Sequence, residues 1–355
     1  AGPPSPNEWT IVGDGVPDAT DLAPGARLLN PFPMVNMGGI STAFIGWLLL
    51  GGVLIQHHPF DLQVLLKQMR DERIDYTVAP PAVLNLLLQN EALLEGIDFK
   101  RLKSIGSGSA PLSEWMVRTF HEKYGVQIVN YFGSNEGASF PSALKDLPEA
   151  ADRASLFPRL GEGFTWACKL HDRIFTRLVD PETEQEITDA GLPGELRVKG
   201  ATIFSGYWRA PEINARAFDA DGWFRTGDLF ELAGDRRQHL KFVGRLKDII
   251  IRGGMNISSE EIENHLMAHP AVAEAAVVGA PDPNLGERLA AFVVFRPGQQ
   301  ASLAEINAFL TGDRQIAVYK QIERLETIEA LPRNPVGKIL KRDLRQRVTT
   351  ETLSA

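Results

Sequence analysis

A single cysteine, Cys168, stands among 355 residues. One thiol cannot close an intramolecular disulfide, and no thiol cluster is left to hold zinc or an iron–sulfur centre, so a reducing, cytoplasmic setting is expected. Positive charge is also in short supply: 37 Lys and Arg face 45 Asp and Glu, for a formal net charge of -8. Such a chain has no general attraction for nucleic acid or anionic lipid, and any phosphate it binds must be met by a local arrangement. Long apolar runs are missing. The most apolar stretch, residues 43–55, carries Trp47, Leu48, Leu49 and Leu50 but is broken by Gly46, Gly51 and Gly52, and it falls short of the roughly 20 residues a transmembrane helix needs. The opening Ala1-Gly2-Pro3-Pro4-Ser5-Pro6 has neither the basic-then-apolar pattern nor the cleavage site of a secretion signal, and reads as a loop or a cut end. What is present is the composition of an ordinary folded protein, 44% hydrophobic, long enough for two or three cored domains.

From about residue 28 to residue 132, short apolar runs alternate with stretches of helical spacing. Residues 53–55, 76–79, 102–105 and 126–129 read as buried strands, and residues 62–69, 83–87 and 115–120 as helices. That alternation predicts an α/β sheet. Between about 157 and 243 the pattern changes to short strands, at 169–171, 176–179, 194–198 and 240–243, with turns at Asp180-Pro181, Leu192-Pro193-Gly194 and Asp221-Gly222. This reads as a small antiparallel barrel or sheet. After Gly244 a compact α+β unit is predicted: helix 259–267, strands 271–278 and 289–295, helix 303–310, strand 322–328, and a last helix from about Lys338 to 347.

Five local patterns carry candidate chemistry. Ser104-Ile105-Gly106-Ser107-Gly108-Ser109-Ala110-Pro111 runs from a strand into a helix, and its small residues let a flat ligand approach the backbone at a sheet edge. Asn130-Tyr131-Phe132-Gly133-Ser134-Asn135-Glu136-Gly137 offers an aromatic ring for a nucleobase, polar groups for phosphate oxygens and a carboxylate for Mg2+. In Asp221-Gly222-Trp223-Phe224-Arg225-Thr226-Gly227-Asp228 the last carboxylate can accept both hydrogen bonds of a ribose diol. The run from Gly244 to Ser258 holds Arg245 and Lys247, a β-branched stretch, Gly253-Gly254, and then the helix-start signal Ser258-Ser259-Glu260-Glu261. Last, Gly337-Lys338 sits where a turn can deliver a flexible point charge to a phosphate. Taken singly, each is also an ordinary turn, loop or surface cation.

In this order the five resemble the adenylate-forming superfamily: acyl- and aryl-CoA synthetases, the adenylation domains of peptide synthetases, and beetle luciferases. The resemblance covers residues 30–347 and includes Gly206-Tyr207-Trp208-Arg209-Ala210-Pro211-Glu212. It implies a large N-terminal domain, here partial, made of a doubly wound α/β sheet (1–156) and a small β-barrel (157–246), followed by a mobile α+β C-terminal domain (247–355). It also implies an acid:CoA ligase working through an acyl-adenylate, with ATP and AMP, Mg2+ and CoA as co-substrate. Lys338 would bridge the carboxylate and the α-phosphate, and Glu136 would hold Mg2+. Gly108, Ser109, Ala110, Pro111, Tyr131, Phe132, Gly133, Ser134 and Asn135 would line the nucleotide, with Asp228 and Arg245 on the ribose. Lys247 matches the hinge and Gly253-Gly254 the CoA channel, while Asn36 and Gly106 match the acyl pocket.

The chain departs from the family pattern in three places. Asn135 stands where the family has a threonine, and Asn36 where a histidine commonly lines the acyl pocket. The Ser/Thr/Gly-rich phosphate loop expected before Asn30 has no counterpart, so the first third of a family member is expected to be missing. The partner expected is a small carboxylic acid, fatty, alicyclic or aromatic, and a homodimer is compatible with the reading. Two alternatives stay open: a nucleotide- or acyl-CoA-binding relative without turnover, and an amino-acid adenylation domain. The latter is disfavoured because no acceptor for an α-amino group is evident near Met34-Val35-Asn36 and no carrier segment follows Ala355.

Overall fold

Leu28 and Leu29 are neighbours in sequence, both fully buried, and they feed different cores. Consecutive residues of a strand face opposite sides of a sheet. Leu29 packs with Leu65, Leu66, Met116 and Phe120, whereas Leu28 packs with Leu22, Leu50, Tyr76 and Val78. Burial on both faces is the signature of a parallel sheet covered by helices on each side. The computed structural model describes residues 6–108, 110, 112–333 and 338–352, and it contains that sheet. Strands Val53–Gln56, Arg27–Asn30, Tyr76–Val78, Ser104–Gly108 and Gln127–Gly133 lie parallel in this spatial order, with Ser139–Ser142 antiparallel at one edge. Helices Leu62–Asp71, Pro81–Gln89 and Glu114–Tyr124 cover the Leu29 face. Asp61 and Ser113 begin two of them by accepting the backbone N–H groups of Val64 and Met116.

The opposite face is covered in part by a helix the sequence reading did not contain, Pro6–Thr20. Gly13, Gly15 and an internal Pro17 make it a poor helix by propensity. Its packing compensates: Val12, Val16 and Ala19 are buried at helical spacing, and Ala19 meets Val129 and Ala143 on the sheet. Beside it, Ile40–Ile45 forms a π-helical segment. The hydroxyls of Ser41 and Thr42 turn back onto the carbonyls of Met37 and Gly38, which loosens the ordinary helical ladder.

The expected barrel region forms a six-stranded sheet in the order Leu156–Pro158, His239–Arg245, Phe224–Ala233, Gly194–Gly200, Ile174–Val179, Glu186–Ile187. The strand expected at 169–171 is instead a turn of 3-10 helix, Lys169–Asp172. The backbone N–H groups of Ala167 and Lys169 go to the carboxylates of Asp146 and Asp18, so the segment has no ladder partner.

By its internal contacts the chain divides into one unit of Ala1–Thr226 with Phe230–Phe242, and a second of Gly227–Leu229 with Val243–Ala355. In the second, Met255–Ser258, Ile249–Arg252, Gly286–Phe295 and Val272–Asp282 are antiparallel neighbours, and Arg324–Thr327 pairs parallel with Gly286–Phe295. Val277 points to helices Ser259–Met267 and Leu303–Thr311, while Val278 points to Leu344 and Val348 of helix Lys341–Thr352. That last helix begins at Lys341, not at Lys338 as the spacing predicted. Ile339 bridges Arg333, and the Leu340 N–H bonds the Pro332 carbonyl, so Ile339 and Leu340 pair across to that segment instead of joining the helix. Gly253 and Gly254, with φ of 57° and 79°, turn the hairpin between Ile249–Arg252 and Met255–Ser258, a two-residue connection in which both positions need the left-handed region. Among the described residues no helix is long and apolar enough to cross a membrane.

Candidate functional site

The candidate residues fall into two groups, one in each unit. In the first unit they gather where the central strands end. Gly108 is opposite Tyr131 in the ladder, and a Cβ there would collide with the Tyr131 carbonyl. The glycine is thus required by strand approach before any ligand is considered. Ala110 follows, exposed; Ser109 and Pro111 lie outside the described residues. Tyr131 and Phe132 alternate in direction. The Phe132 ring sits 5.0 Å from Phe230 and 5.7 Å from Phe140, centroid to centroid, with Phe157 and Phe242 near 6 Å. Its far side therefore belongs to an aromatic core. The Tyr131 hydroxyl is buried beside that of Tyr76, and burial pushes both phenols up.

Beyond Gly133 the chain makes a tight turn. Ser134 donates its N–H to Ala138 O, Gly137 donates to Ser134 O, and the Ser134 hydroxyl is buried without a partner. Asn135 turns the other way: its Oδ1 accepts the Met37 N–H at 2.8 Å. Asn36, one residue earlier, accepts the Gly39 N–H at 2.9 Å and caps the short helix that begins at Met37. Asn135 thus ties the Glu136 loop to the segment matched to the acyl pocket, and Asn36 caps the helix of that segment.

Glu136 is oriented by a residue that sequence reasoning did not single out. Tyr207 donates its hydroxyl to Glu136 Oε1 at 3.0 Å, and Asn214 clamps the Tyr207 backbone at both N–H and carbonyl, at 2.6 and 2.9 Å. Burial, together with the charge of Glu136, pushes the Tyr207 phenol up to about 12, so it remains a donor. The signal was in the quoted motif, where a tyrosine follows Gly206, but nothing local shows that its partner lies 71 positions away.

The second group is a set of mutually opposed charges within the second unit. Asp228 and Arg245 are 3.4 Å apart. Desolvation pushes the Asp228 carboxyl up to about 6; Arg245 pulls it back and Glu260 adds to the rise, with smaller downward contributions from Lys338 and Lys247. Lys338 is exposed as a residue, yet its ammonium lies among these charges, and desolvation, Arg245 and Lys247 lower its pKa. Glu260 is raised by burial, against the pull of Lys341 and Arg245. Lys247 lies in a 3-10 turn, Leu246–Asp248, that Arg345 fastens from helix Lys341–Thr352: the guanidinium reaches the Lys247 carbonyl at 3.1 Å and the Asp248 carboxylate at 2.5 Å. At the helix start expected from Ser258, the serine accepts the Glu261 N–H, but the Glu261 carboxylate goes to Lys320 at 2.7 Å. Half of the capping box is made.

Among the described residues no three His, Cys, Asp or Glu side chains cluster as a metal cage. A single oriented carboxylate such as Glu136 fits Mg2+, which takes one or two carboxylates and fills its other positions with water and phosphate oxygens. A hollow of about 240 Å³ lined by Glu114, Arg118, His121 and Arg153 contains none of the candidates.

Residues 9–208, more than half of the chain, match the AMP-binding enzyme family, and residues 261–338 match the AMP-binding enzyme C-terminal domain. The chain belongs to the AMP-binding, adenylate-forming enzymes. Glu136 and Tyr207 fall in the first matched stretch, Lys338 is the last residue of the second, and Asp228, Arg245 and Lys247 lie between the two. Among AMP-binding relatives, the chain is 34% identical over 314 residues to the 2-hydroxy-7-methoxy-5-methyl-1-naphthoate–CoA ligase of Streptomyces carzinostaticus, covering 88% of this chain and 52% of that one. The ATP-bound structure of MatB from Rhodopseudomonas palustris is similar at a TM-score of 0.78 and 29% identity, over 96% of this chain and 64% of that one. The amide bond synthetase McbA from Marinactinospora thermotolerans reaches a TM-score of 0.81 at 26% identity, over 97% and 65%. The chain thus spans between half and two thirds of the length of these relatives.

Proposed function

We propose that this chain serves an AMP-forming carboxylic acid:CoA ligase. In the first half-reaction a substrate carboxylate oxygen attacks the α-phosphorus of ATP, the bond to pyrophosphate breaks, and an acyl-adenylate forms. In the second, the CoA thiol displaces AMP and gives the thioester. Most of the work is positioning and charge stabilisation. Lys338 would meet the α-phosphate and the incoming carboxylate as a flexible cation. Asp228, ionised, would accept hydrogen bonds from the ribose hydroxyls, with Arg245 beside it. Phe132, backed by its aromatic core, would offer its remaining face to adenine, next to Gly108 and Ala110. Ser134 would give its buried hydroxyl to a phosphate oxygen. Bound at Glu136, Mg2+ would neutralise phosphate charge. Lys247 would be the hinge of a mobile domain from 247 onward, and Gly253-Gly254 would flank the CoA arm.

The observation that carries this reading is the Glu136 loop: a carboxylate aimed by Tyr207, one turn from a buried hydroxyl with no protein partner. It is the arrangement expected where a metal–phosphate group completes the bonding. A panel of carboxylic acids in ATP–pyrophosphate exchange, followed by acyl transfer to CoA, tests it. Exchange confined to amino acids would overturn the CoA-ligase reading. The similarity to McbA favours a second reading, transfer of the acyl group to an amine; supplying CoA and simple amines in parallel decides between the two by the product formed.

A further inference from the structure

Lys341 and Arg345 stand one turn apart on helix Lys341–Thr352, a spacing that puts both on one face. Each reaches a different element of its own unit. The Lys341 ammonium bonds Glu263 at 2.7 Å and the Ser259 hydroxyl at 2.8 Å, both on helix Ser259–Met267. The Arg345 guanidinium takes the Lys247 carbonyl and the Asp248 carboxylate, in the turn directly after Arg245. The two targets are themselves joined. Ser258, which caps helix Ser259–Met267, donates its hydroxyl to the Val243 carbonyl at 2.6 Å, two residues before Arg245. Gly244 leaves room for that bond, since a Cβ there would come within 2.8 Å of the Ser258 hydroxyl. One face of the last helix is therefore gripped at two points by a block that also carries Arg245 and its partner Asp228.

We infer that Lys341 and Arg345 are positioning residues for Lys338: their two grips set the register of the last helix, and with it the point at which the Lys338 ammonium meets the Asp228–Arg245 pair. The inference rests on Lys338 being the adenylation cation of the proposed ligase. Only Ile339 and Leu340 separate Lys338 from Lys341, and both pair back to the Arg333 segment, so fixing Lys341 fixes the stem from which Lys338 reaches. Its ammonium accordingly lies among the charges of Arg245, Lys247, Asp228 and Asp248. The apolar contacts of Leu344 and Val348 hold the helix to its core. Such burial is non-directional and does not by itself choose a register, whereas charged hydrogen bonds to fixed oxygens do.

The test follows the ionisation of Lys338 and the adenylation half-reaction separately, in the full chain. Trace labelling with isotopic acetic anhydride over an alkaline pH series, read on Lys338 by peptide mass spectrometry, gives its titration without any turnover. In Arg345→Gln the lysine should leave its desolvated place beside two cations, and its titration should rise towards that of an ordinary lysine. ATP–pyrophosphate exchange should lose about 10-fold in kcat with little change in KM for ATP, as expected for a misplaced reacting group. Arg345→Lys should recover part of both. Arg342→Gln, which removes the same charge from an exposed position of the same helix, should leave both as they are. Ser259→Ala deletes one partner of Lys341 with no change of charge; it should move both readouts the same way by a smaller amount, and it decides the matter if Arg345→Gln does not fold. An unmoved Lys338 titration in Arg345→Gln and Ser259→Ala, or an equal shift in Arg342→Gln, overturns the inference. If the titration moves as expected while no acid supports exchange even in the unaltered chain, the placement stands and the ligase reading falls.

Discussion

Tyr207 holds Glu136 through a 3.0 Å hydrogen bond, and Asn214 holds Tyr207 through two more. The orientation of the proposed metal-binding carboxylate is thus set by a residue of another segment, which is itself locked at its backbone. Partners that orient a ligating carboxylate change metal affinity without touching the metal. Tyr207→Phe keeps the ring against Phe204 and removes only the donor. The Mg2+ concentration for half-maximal ATP binding should rise about 10-fold, within the range typical for loss of such a partner, and AMP binding without Mg2+ should change little. Calorimetric titration of ATP at several Mg2+ concentrations measures both.

The Asp228 carboxyl, at about 6 in the folded chain, predicts a pH-dependent nucleotide affinity. Only the ionised form accepts both ribose hydrogen bonds. AMP should bind more weakly at pH 5 than at pH 7.5, with a midpoint close to 6, and Asp228→Asn should flatten the profile at its weak end. The stability effect has the opposite sign. A carboxyl raised on folding holds more protons folded than unfolded between its unfolded value of 3.8 and about 6, so its contribution is fully present below that window and is lost as pH rises through it. Glu260, also raised by burial, adds to the same trend. Binding and denaturation followed over one pH series should therefore move in opposite directions.

How much of this was visible beforehand differs from residue to residue. The buried strands read at 53–55, 76–79, 102–105 and 126–129 and the helices between them were legible because each depends on a period that a short window contains. Helix Pro6–Thr20 was not, since its glycines and proline argue against a helix and only burial of Val12, Val16 and Ala19 outweighs them. The strand misread at residues 169–171 shows the same limit: one buried leucine between polar neighbours looks alike in a strand and in a 3-10 turn, and the deciding partners, Asp18 and Asp146, are distant in sequence. Lys338, Glu136 and Asp228 could be named from motif order. Tyr207 could not, because what distinguishes it is a partner distant in sequence.

Lys338 precedes the final helix and is absent from the cores, so removing its charge should spare the fold. With desolvation and two neighbouring cations already lowering its pKa, the ammonium is placed where a phosphate would be its best partner. In Lys338→Ala, ATP–pyrophosphate exchange should fall by about 100-fold or more, the scale of losing one preorganised charge-stabilising group. Thioester formation from supplied acyl-adenylate should fall by less than about 3-fold, because that step does not call on the α-phosphate contact. An equal loss in both half-reactions would count against its assignment to adenylation.

Lys341 and Glu263 form a largely buried pair at 2.7 Å, with Ser259 as a second partner of the lysine and the Val277 N–H donating to the carboxylate. Even so paired, Glu263 is pushed up to about 7, burial outweighing Lys341. Removing the cation leaves a carboxyl that must be buried as an unpaired charge or carry its proton to higher pH. Lys341→Met should therefore destabilise the chain by about 3 kcal/mol at pH 8, near the low end for breaking a buried pair. At pH 5 Glu263 is protonated with or without Lys341, and the loss should drop to about 1 kcal/mol, that of the remaining contacts. The sign follows from a folded pKa above the unfolded 4.5: the stability contribution of Glu263 is intact below that value and is lost as pH rises, over a window that lengthens when Lys341 is gone. Adding Glu263→Gln to Lys341→Met removes the charge altogether, and the double variant should lose its excess pH dependence while recovering part of the stability at pH 8. Urea denaturation of the three proteins at the two pH values measures each of these differences, and a Lys341→Met deficit that is the same at both would show that the pair contributes packing rather than charge.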